Sequence, residues 1–363
     1  MEIYVFDKNL SILGVIDKYE SLIWNRRSSE VGEFELHCNI EKETLDLLKE
    51  ENIICKSNDL TECAYIENIY LDEDSKGIET IKVTGRFITG YIGRRIIWNK
   101  ETINDTVENA IRRLVNKNCI NTTDERVIPF LRLGESKNYA ERINYQVSYK
   151  NLEDEVSKLS NEKDLNFRVI TDIQNKIHNF DIYKGVDRTV NQNINSICIF
   201  SRDFENIYEQ SYSIENNDFK TIALIGGEGE GKERIFSTIG EGNGLQRHEL
   251  FVDADDIRST KEDETSIPKD EYIKLLNQRG LEKLDEYKRV DTFESKINVT
   301  NSNLIYRKDF DLGDYVTCLN KKWGVIVDVK ITEIEEVYEK NGFEVNVVFG
   351  NKIPTLIDKL KRR

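Results

Sequence analysis

The first hundred residues alternate between apolar and polar positions with a period of two, which is typical of short strands. The clearest case is "GEFELHCNI", whose apolar positions are Phe34, Leu36 and Cys38. Further strands are predicted at "EIYVFD" and "LSILGVI", and "AYIENIYLDED" with "IETIKVTGRF" predicts a hairpin around residues 75–77. Only "KETLDLLKEE" is expected to be helical, with Leu45 and Leu48 facing inward. Strands this short, with turns this frequent, favour a barrel or a sandwich.

From Thr102 onward the apolar positions recur at helical spacing. Val107, Ile111 and Leu114 predict a helix over 103–117, with Thr102 and Asp105 as its capping box. A second helix is predicted for Asn151 to Glu162. The segments "LNFRVITD" and "KIHNFDIYKG" then predict a β-hairpin. Together these elements indicate a small α+β block.

After about residue 197 the two-residue period returns. Strands are predicted at "ENIYEQSYSIE", "FKTIALIGG", "KERIFSTIGE" and "RHELFVD". A helix is expected from about Pro268, since proline is tolerated in a first helical turn, and Gly280 is expected to kink or break it. The chain continues with a strand at "TFESKINV". Two long strands around Asn341-Gly342 then give a strong hairpin signal.

These segments predict a β-rich α+β protein with four parts. A first β-rich domain is expected at 1–100 and an α+β domain at 101–190. A second β-rich domain is expected at 191–260 and 291–363, with a helical insertion at 261–290.

The composition limits the function. A net charge of −15 does not suit a surface that binds duplex nucleic acid through clustered Lys and Arg. No signal peptide opens the sequence, and no apolar run reaches the roughly 18 residues of a membrane span. Six cysteines without a CxxC pair, beside only three histidines, indicate small buried thiols in a reduced compartment and argue against a zinc site.

One stretch, "GGEGEGKE" at 226–233, matches a phosphate-binding P-loop up to its last position. A P-loop needs Ser or Thr after the lysine to bind Mg²⁺, and a helix whose N-terminus faces the phosphates. Here Glu233 replaces the hydroxyl, three glutamates would repel a polyanion, and the next residues predict a strand. The motif therefore indicates a solvated turn in which positive φ is allowed at Gly226, Gly227, Gly229 and Gly231.

The acidic residues do not define a catalytic or metal centre. The stretch "VDADDI" lacks the glycine and the distant glutamate of an EF-hand. We therefore expect Asp253, Asp255 and Asp256 to be solvated or to pair with Arg247 and Arg258. A glycosidase needs two carboxylates at a set separation, and the 67 acidic residues nominate no pair. No GxSxG or HExxH motif is present.

Five motifs occur in an order that resembles a known family. They are "SLIWNRRSSEVGEFEL", "GRFITGYIGRRI", "GGEGEGKER", "RHELFVDADDI" and "DFDLGDYVTC". Together with the ending "ITEIEEVY…GFEVNVVFG", this order resembles the Gp37-like siphovirus tail proteins over essentially the full length. That family is similar to the baseplate hub proteins of contractile and non-contractile tails.

The resemblance implies a non-enzymatic protein of a phage tail or a phage-tail-like particle such as a bacteriocin, assembled in the host cytoplasm. Hubs of this kind are trimeric rings whose subunits each carry two related β-barrel domains. Their pseudo-sixfold face meets the hexameric tail tube protein, and their threefold face takes the spike protein. Other baseplate or tail-tip proteins are further expected partners. DNA is expected only to pass through the lumen, without specific binding.

The resemblance also nominates residues for contacts in the assembly, and it implies no cofactor and no metal. The three arginines are expected to face a neighbouring subunit or the tube. Gly227, Gly229 and Gly231 are expected to lie in a loop at a barrel rim. Asp314 is expected to lie beside a turn at Gly313 that leads into a strand starting at Tyr315. The candidates are Arg94, Arg95, Gly227, Gly229, Gly231, Arg234 and Asp314.

Two other classes of function stay open. A tail-associated cell-wall hydrolase would need a catalytic domain, and after "FGNKIPTLIDKLKRR" we expect no room for one. A P-loop nucleotide-binding protein would need Ser or Thr at position 233. The basic last five residues are expected to form a helix end or to contact a neighbouring protein.

Overall fold

The computed structural model describes residues 1–216, 218–260, 265–297, 303–340 and 342–350. Over these residues the chain is a β-rich α+β protein, as its sequence pattern predicts. One large, mainly antiparallel sheet runs through both β-rich regions, and three small sheets lie beside it. Asn341 of the predicted hairpin and the basic tail after residue 350 lie outside the described residues.

The first β-rich region is built around a buried aromatic cluster, in which the Trp24 ring lies 4.7 Å from Phe87 and 5.9 Å from Phe34. Leu48 is buried as predicted, but Leu45 is exposed, because the helix is short and turns Leu47 inward instead. The elements are β1 Ile3–Phe6, β2 Ile12–Ile16, β3 Ser21–Arg27, β4 Glu33–Asn39, α1 Lys42–Leu47, β5 Ile53–Lys56, β6 Asp59–Glu73 and β7 Glu79–Phe87.

Two cysteines of this region depart from the prediction of free thiols. Cys55 and Cys63 lie opposite each other in the β5–β6 ladder, with their Cα atoms 4.7 Å apart, and form a disulfide. Directly opposed strand positions reach the Cα separation that a disulfide needs. The other four, Cys38, Cys119, Cys198 and Cys318, are free and buried as predicted.

The middle block starts with a strand where the sequence predicted a helix. Glu101–Thr106 pairs with Arg142–Val147, and Ile103 is buried within this ladder. The helix begins after Thr106, whose hydroxyl accepts a hydrogen bond from the Asn109 amide, so the predicted capping box is wrong. The elements are β8 Glu101–Thr106, α2 Val107–Val115, β9 Leu131–Leu133, β10 Arg142–Val147, α3 Leu152–Glu162, β11 Asn166–Asp172 and β12 Ile177–Tyr183.

The second β-rich region carries a separate small unit between two of its strands. In that unit a three-stranded sheet packs against one long helix and has its own apolar core. The region's elements are β13 Ile199–Phe200, β14 Ile207–Glu215, β15 Ile222–Gly226, β16 Phe236–Gly240, β17 Glu249–Asp253, α4 Lys269–Glu286, β18 Val290–Ile297, β19 Tyr315–Asn320, β20 Val325–Glu339 and β21 Gly342–Gly350. Tyr315 starts its strand as predicted.

Helix α4 runs through Gly280 without a break, so the predicted break is wrong. A Cβ at this position would lie 2.7 Å from Ile225 Cδ1 and 2.8 Å from Ile239 Cγ2. The glycine therefore allows the helix to approach the sheet closely.

The large sheet joins the two β-rich regions edge to edge. Its strand order is β14-β18-β21-β20-β3-β4-β7-β6-β5-β1-β2, and β19 pairs with β20 and β13. The joint between the regions is the antiparallel β20–β3 ladder, which pairs Glu333–Glu339 with Ser21–Arg27.

Both regions contain the same four-strand arrangement. The first repeat, β3, β4, β6 and β7, has the spatial order β3-β4-β7-β6, and the second repeat, β14, β18, β20 and β21, has the order β14-β18-β21-β20. In each repeat the third strand has 15 residues and the fourth has 9. Each third-to-fourth ladder also carries one bulge, at Glu67 and at Thr332. The closure of each repeat into a barrel and the exact domain boundaries stay predictions.

Candidate assembly surfaces

The glycine-rich stretch forms a closed turn between β15 and β16 that differs from a P-loop. Gly231–Glu233 make a single 3₁₀ turn, and a strand follows. The Gly227 amide donates to the Ile235 carbonyl (2.8 Å), and the Ile235 amide donates to the Glu228 carbonyl (3.2 Å). The Glu228 amide donates to the Tyr272 hydroxyl (2.7 Å). These amides are therefore engaged inside the chain, and the motif leads into strand β16 where a P-loop would lead into a helix.

The four glycines of this turn serve two different purposes. Gly229 and Gly231 have φ values of +110° and +53°, as predicted. Gly226 and Gly227 do not have positive φ, so that part of the prediction is wrong. A Cβ on Gly227 would lie 2.6 Å from the Tyr272 hydroxyl, which shows that close packing requires glycine there.

Arg234 closes the turn from one side. Its guanidinium donates to the carbonyls of Gly226 (2.9 Å) and Gly227 (3.0 Å) and pairs with Asp253. It also lies 5.8 Å from the Phe236 ring centroid, on the sheet face opposite α4. The role of this residue in assembly stays a prediction, because its polar contacts inside the chain already account for its position.

The acidic stretch after β17 forms ion pairs, but with other arginines than predicted. Asp253 pairs with Arg234, and Asp256 forms a bidentate pair with Arg279 at 3.0 and 3.1 Å. The predicted partners form ion pairs with other residues: Arg247 pairs with Glu249, and Arg258 pairs with Glu228. The described part of the chain contains no cluster of acidic, cysteine and histidine side chains able to hold a metal ion.

The adjacent arginines 94 and 95 point to different partners. Arg94 binds the Glu51 carboxylate at 2.7 and 2.9 Å and stacks over the Tyr65 ring, 4.6 Å from its centroid. Arg95 donates through Nε to the Arg126 carbonyl at 2.7 Å. The Arg94 side chain is about one third exposed, so it can still meet a neighbour; that contact stays a prediction.

Asp314 is buried and organises the turn before β19. Its carboxylate accepts from the Val186 amide (2.7 Å), from Arg188 Nε (2.9 Å) and from the Asp311 amide (3.0 Å). Gly313 beside it has a φ of +92°. Three donors around one buried carboxylate fix this turn, so Asp314 has a structural role whether or not it also lies near an interface.

The sequence analysis missed a cluster of charges inside the joint between the repeats. Arg26 on β3 binds Glu62 (2.8 Å) on β6 and Asp311 (2.6 Å) in the loop before β19. Lys56 on β5 pairs with Glu336 on β20, and both side chains are 1% exposed. Arg26 and Asp311 belong to the first and last of the five motifs. The shared occurrence of these motifs was therefore the one sequence signal that connected the two residues.

The cluster strongly perturbs a carboxyl group. Burial alone would raise the pKa of Glu336, but the positive charges of Lys56, Arg307 and Arg26 outweigh burial and hold it at about 2. The Tyr306 hydroxyl (2.7 Å) and Arg307 (3.0 Å) both donate to its Oε1. Every one of these contacts lies within the chain, so the cluster fixes how the two β-rich regions meet.

A cleft of about 520 Å³ separates the middle block from α4 and is lined mostly by charged side chains. Lys158 on α3 pairs with Glu282 on α4 at 2.5 Å. Burial raises the pKa of Glu155, whose carboxylate accepts from the Tyr145 hydroxyl. A glycosidase needs its acid and base to face an open gap, whereas Glu282 is paired across the cleft and Glu155 is hydrogen bonded within the middle block.

Two long strands of the large sheet have an unpaired side within the described residues. The β14 edge (Gln210–Ile214) pairs only with β18. The outer β6 edge (Asn68–Glu73) pairs only with β7, because the β5 ladder ends at Tyr65. Short strands β2 and β13 also have an unpaired side in the part described. Unpaired edges are templates for adding a strand from another chain.

Comparison with known proteins agrees with this architecture. A chain of the tail protein from Neisseria meningitidis MC58 has a TM-score of 0.58 at 10% identity, covering 96% of both chains. The prophage tail protein gp18 from Listeria monocytogenes EGD-e has a TM-score of 0.54 at 14% identity, covering 100% of this chain and 98% of that one. A chain in a PdpA–VgrG complex has a TM-score of 0.51 at 9% identity, covering 98% of this chain and 66% of that one. The search of curated proteins gave no match.

The chain thus shares its fold with solved phage tail proteins. The profile of the Siphovirus ReqiPepy6 Gp37-like protein family matches residues 2–351, and the chain belongs to that family. None of the helices in the described residues is long and apolar enough to cross a membrane.

Proposed function

We propose that this protein is the structural hub of a phage tail or phage-tail-like particle, in which three copies form a ring that joins the hexameric tail tube to a threefold spike. The observation that carries the proposal is the repeat within the large sheet. Two equivalent four-strand units per chain give six units in a ring of three, which matches a hexameric partner. The middle block and the α4 unit occur once per chain and keep the other face threefold.

The comparisons support the general role. The family match supports a structural role in the virion tail, and the likeness in fold to the tail proteins from Neisseria and Listeria is consistent with it. The likeness to a chain of a PdpA–VgrG complex is the support for a spike-like partner. The role is structural and requires no catalytic group, and neither the cleft nor the glycine-rich turn favours a hydrolase or a nucleotide-binding protein. The two β-barrel-like domains and the predicted domain boundaries are part of this proposal.

The proposal also keeps the assembly contacts nominated from sequence. Arg94 and Arg95 would lie at a subunit or tube contact, and the turn that holds Gly227, Gly229, Gly231 and Arg234 would lie at the rim of the ring. Asp314 would support the strand entry next to that contact. Arg94→Ala and Arg95→Ala in assembled tails test these positions by their effect on tube attachment.

Cryo-electron microscopy of assembled tails, with light scattering of the purified chain, tests the ring. We expect three copies between tube and spike, with six similar β-units around the axis. The chain alone is expected to be a trimer, or a monomer that trimerises with its tube or spike partner. The absence of a threefold ring of this chain from assembled tails would overturn the proposal.

A further inference from the structure

The joint between the two repeats indicates how one copy of the chain meets the next. Within the chain, the third strand of the second repeat uses its first half to pair with β19 and its second half to pair with β3. The third strand of the first repeat, β6, likewise uses its first half to pair with β5. Its second half, the outer β6 edge, has no such partner among the described residues. The position that β3 fills beside β20 is thus empty beside β6.

The strand equivalent to β3 in the second repeat is β14, whose edge also has no second partner in the part of the chain that the structure describes. We propose that the β14 edge of one copy adds to the outer β6 edge of the next copy, in the arrangement that β3 and β20 adopt within the chain. This inference rests on the proposed ring. It goes further by naming the two strands and their register.

The equivalent positions of the two repeats determine this register. In the first repeat Trp24 lies opposite Phe34, which lies opposite Gly85. In the second repeat Tyr212 lies opposite Phe293, which lies opposite Phe349, so Tyr212 takes the position of Trp24.

The same comparison locates the partner of Tyr212. Glu336 faces Trp24 across the internal joint and lies opposite Val345 on its other side. Leu71 lies opposite Ile81, the residue equivalent to Val345, so Leu71 takes the position of Glu336. In the joint between copies, Tyr212 therefore lies opposite Leu71, and the antiparallel direction then places Ile214 opposite Ile69.

This register sorts the side chains by polarity. Ile69 and Leu71 are 39% and 58% exposed, and Ile214 is 47% exposed. With Ile214 opposite Ile69 and Tyr212 opposite Leu71, the apolar side chains share one face of the new ladder. Directly opposed residues of a sheet pack against each other, so this pairing covers surface that each copy leaves exposed.

A shift of one residue would be unfavourable. It would move the apolar side chains of β14 to the face that carries Asn68, Tyr70 and Asp72, where the Tyr70 ring is the one large apolar group, because side chains alternate between the two faces of a strand. Because each copy offers one β14 edge and one outer β6 edge, the contact is head-to-tail and closes when the ring is complete.

Disulfide trapping in assembled tails tests the register. The double variant Ile69→Cys/Ile214→Cys places two thiols at directly opposed positions, and we expect oxidation to link neighbouring copies covalently on a non-reducing gel. The matched control Tyr70→Cys/Ile214→Cys puts the thiols on opposite faces of the ladder and is expected to give no link. Each single variant reports background reaction of the native cysteines.

A charge swap gives a second measurement on the same contact. Ile214→Glu is expected to reduce incorporation of the chain into tails at least tenfold, and Ile69→Lys in the same chain is expected to restore it. Circular dichroism and the thermal midpoint of each purified variant show that the fold is kept.

The outcomes separate this inference from the proposed function. A threefold ring in which Ile69→Cys/Ile214→Cys gives no link, or in which the control pair links equally well, overturns the register and leaves the hub role standing. Tails without a ring of this chain overturn both.

Discussion

Lys56 and Glu336 carry opposite charges at a place where water has almost no access to either side chain. Burying an ion costs several kcal/mol, so the pair persists only because its other hydrogen-bonding sites are filled. The Tyr338 hydroxyl donates to the same carboxylate oxygen as Lys56 (2.8 Å), and Tyr306 and Arg307 donate to the other. Since β5 belongs to the first β-rich region and β20 to the second, this arrangement is satisfied in one relative position of the two regions.

Removal of one partner is therefore expected to be costly. Lys56→Ala leaves the Glu336 carboxylate without its nearest positive charge and should lower the free energy of unfolding by about 3–5 kcal/mol. Urea denaturation of the purified chain measures this change. The control is Lys340→Ala, which breaks an exposed pair with Glu20 and should cost less than about 1 kcal/mol. Equal effects of the two variants would show that the buried pair does not hold the joint.

His178 makes stability depend on pH. Burial lowers its pKa from 6.5 to about 4, and its Nδ1 lies 3.0 Å from the Thr171 hydroxyl. The unfolded chain binds a proton more readily, so the contribution is complete above pH 6.5 and is lost as pH falls from 6.5 to 4. The loss amounts to at most about 3.5 kcal/mol, at roughly 1.4 kcal/mol per pKa unit.

Urea titrations between pH 7 and pH 4 measure this effect as the difference between the native chain and His178→Gln. The variant should lose less stability over this range. His248→Gln, at an exposed position, serves as control. If His178→Gln showed the same pH dependence as the native chain, the burial of the neutral imidazole would not be the cause.

At the scale of elements, the sequence predicted what short-range pattern controls. The alternation around Phe34, Leu36 and Cys38 places all three in the core, and the hairpin between β11 and β12 forms where expected. The predicted helix at 103 started too early because Ile103 suits either a helix or a strand. Pairing with β10, about 40 residues further along the chain, makes this segment a strand.

Such short-range patterns could not predict the joint between the repeats. Asn25 and Glu333 are hydrogen bonded at 2.7 Å although 308 residues separate them. Lys56 ends a strand and carries a charge, which on sequence alone indicates an exposed position. Lys56 is buried because β20 packs against it, and no local sequence signal indicates this contact. The candidate arginines could be nominated from motifs, but their partners depend on the same long-range packing.

Helix α4 offers a test of close packing between elements. Gly280→Ala raises helix propensity by about 1 kcal/mol, which by itself would stabilise the protein. The new methyl group would press on Ile225 and Ile239, and overpacking of this kind costs about 1–3 kcal/mol. We expect a net loss, measured by thermal unfolding. Lys274→Ala, at an exposed position of the same helix, should change stability by less than about 0.5 kcal/mol. A stabilised Gly280→Ala would show that the helix can move away from the sheet.

For the whole molecule, the repeat explains why so large a sheet remains open. The internal joint pairs the β3 edge with β20. The equivalent pair of edges, on β14 and the outer part of β6, has no partner within the described residues. Long unpaired strands are an aggregation hazard, so a protein that keeps them is expected to use them. The insertion of the α4 unit between β14 and β18 leaves this arrangement intact, because β14 keeps its whole ladder with β18.

Hydrogen exchange should reveal the second set of edges directly. Backbone amides on the free side of a strand exchange with water, and they become protected when a partner strand binds them. Between the dilute monomer and assembled tails, peptides that cover Asn68–Glu73 and Ile207–Glu215 should gain protection. Peptides of β3 and β20 should change little, since their joint is already closed. The control is β16, an edge strand of the small sheet next to α4, which should stay as it is. Protection gained at β2 or β16 with none at β14 would assign the contact between copies to a different edge.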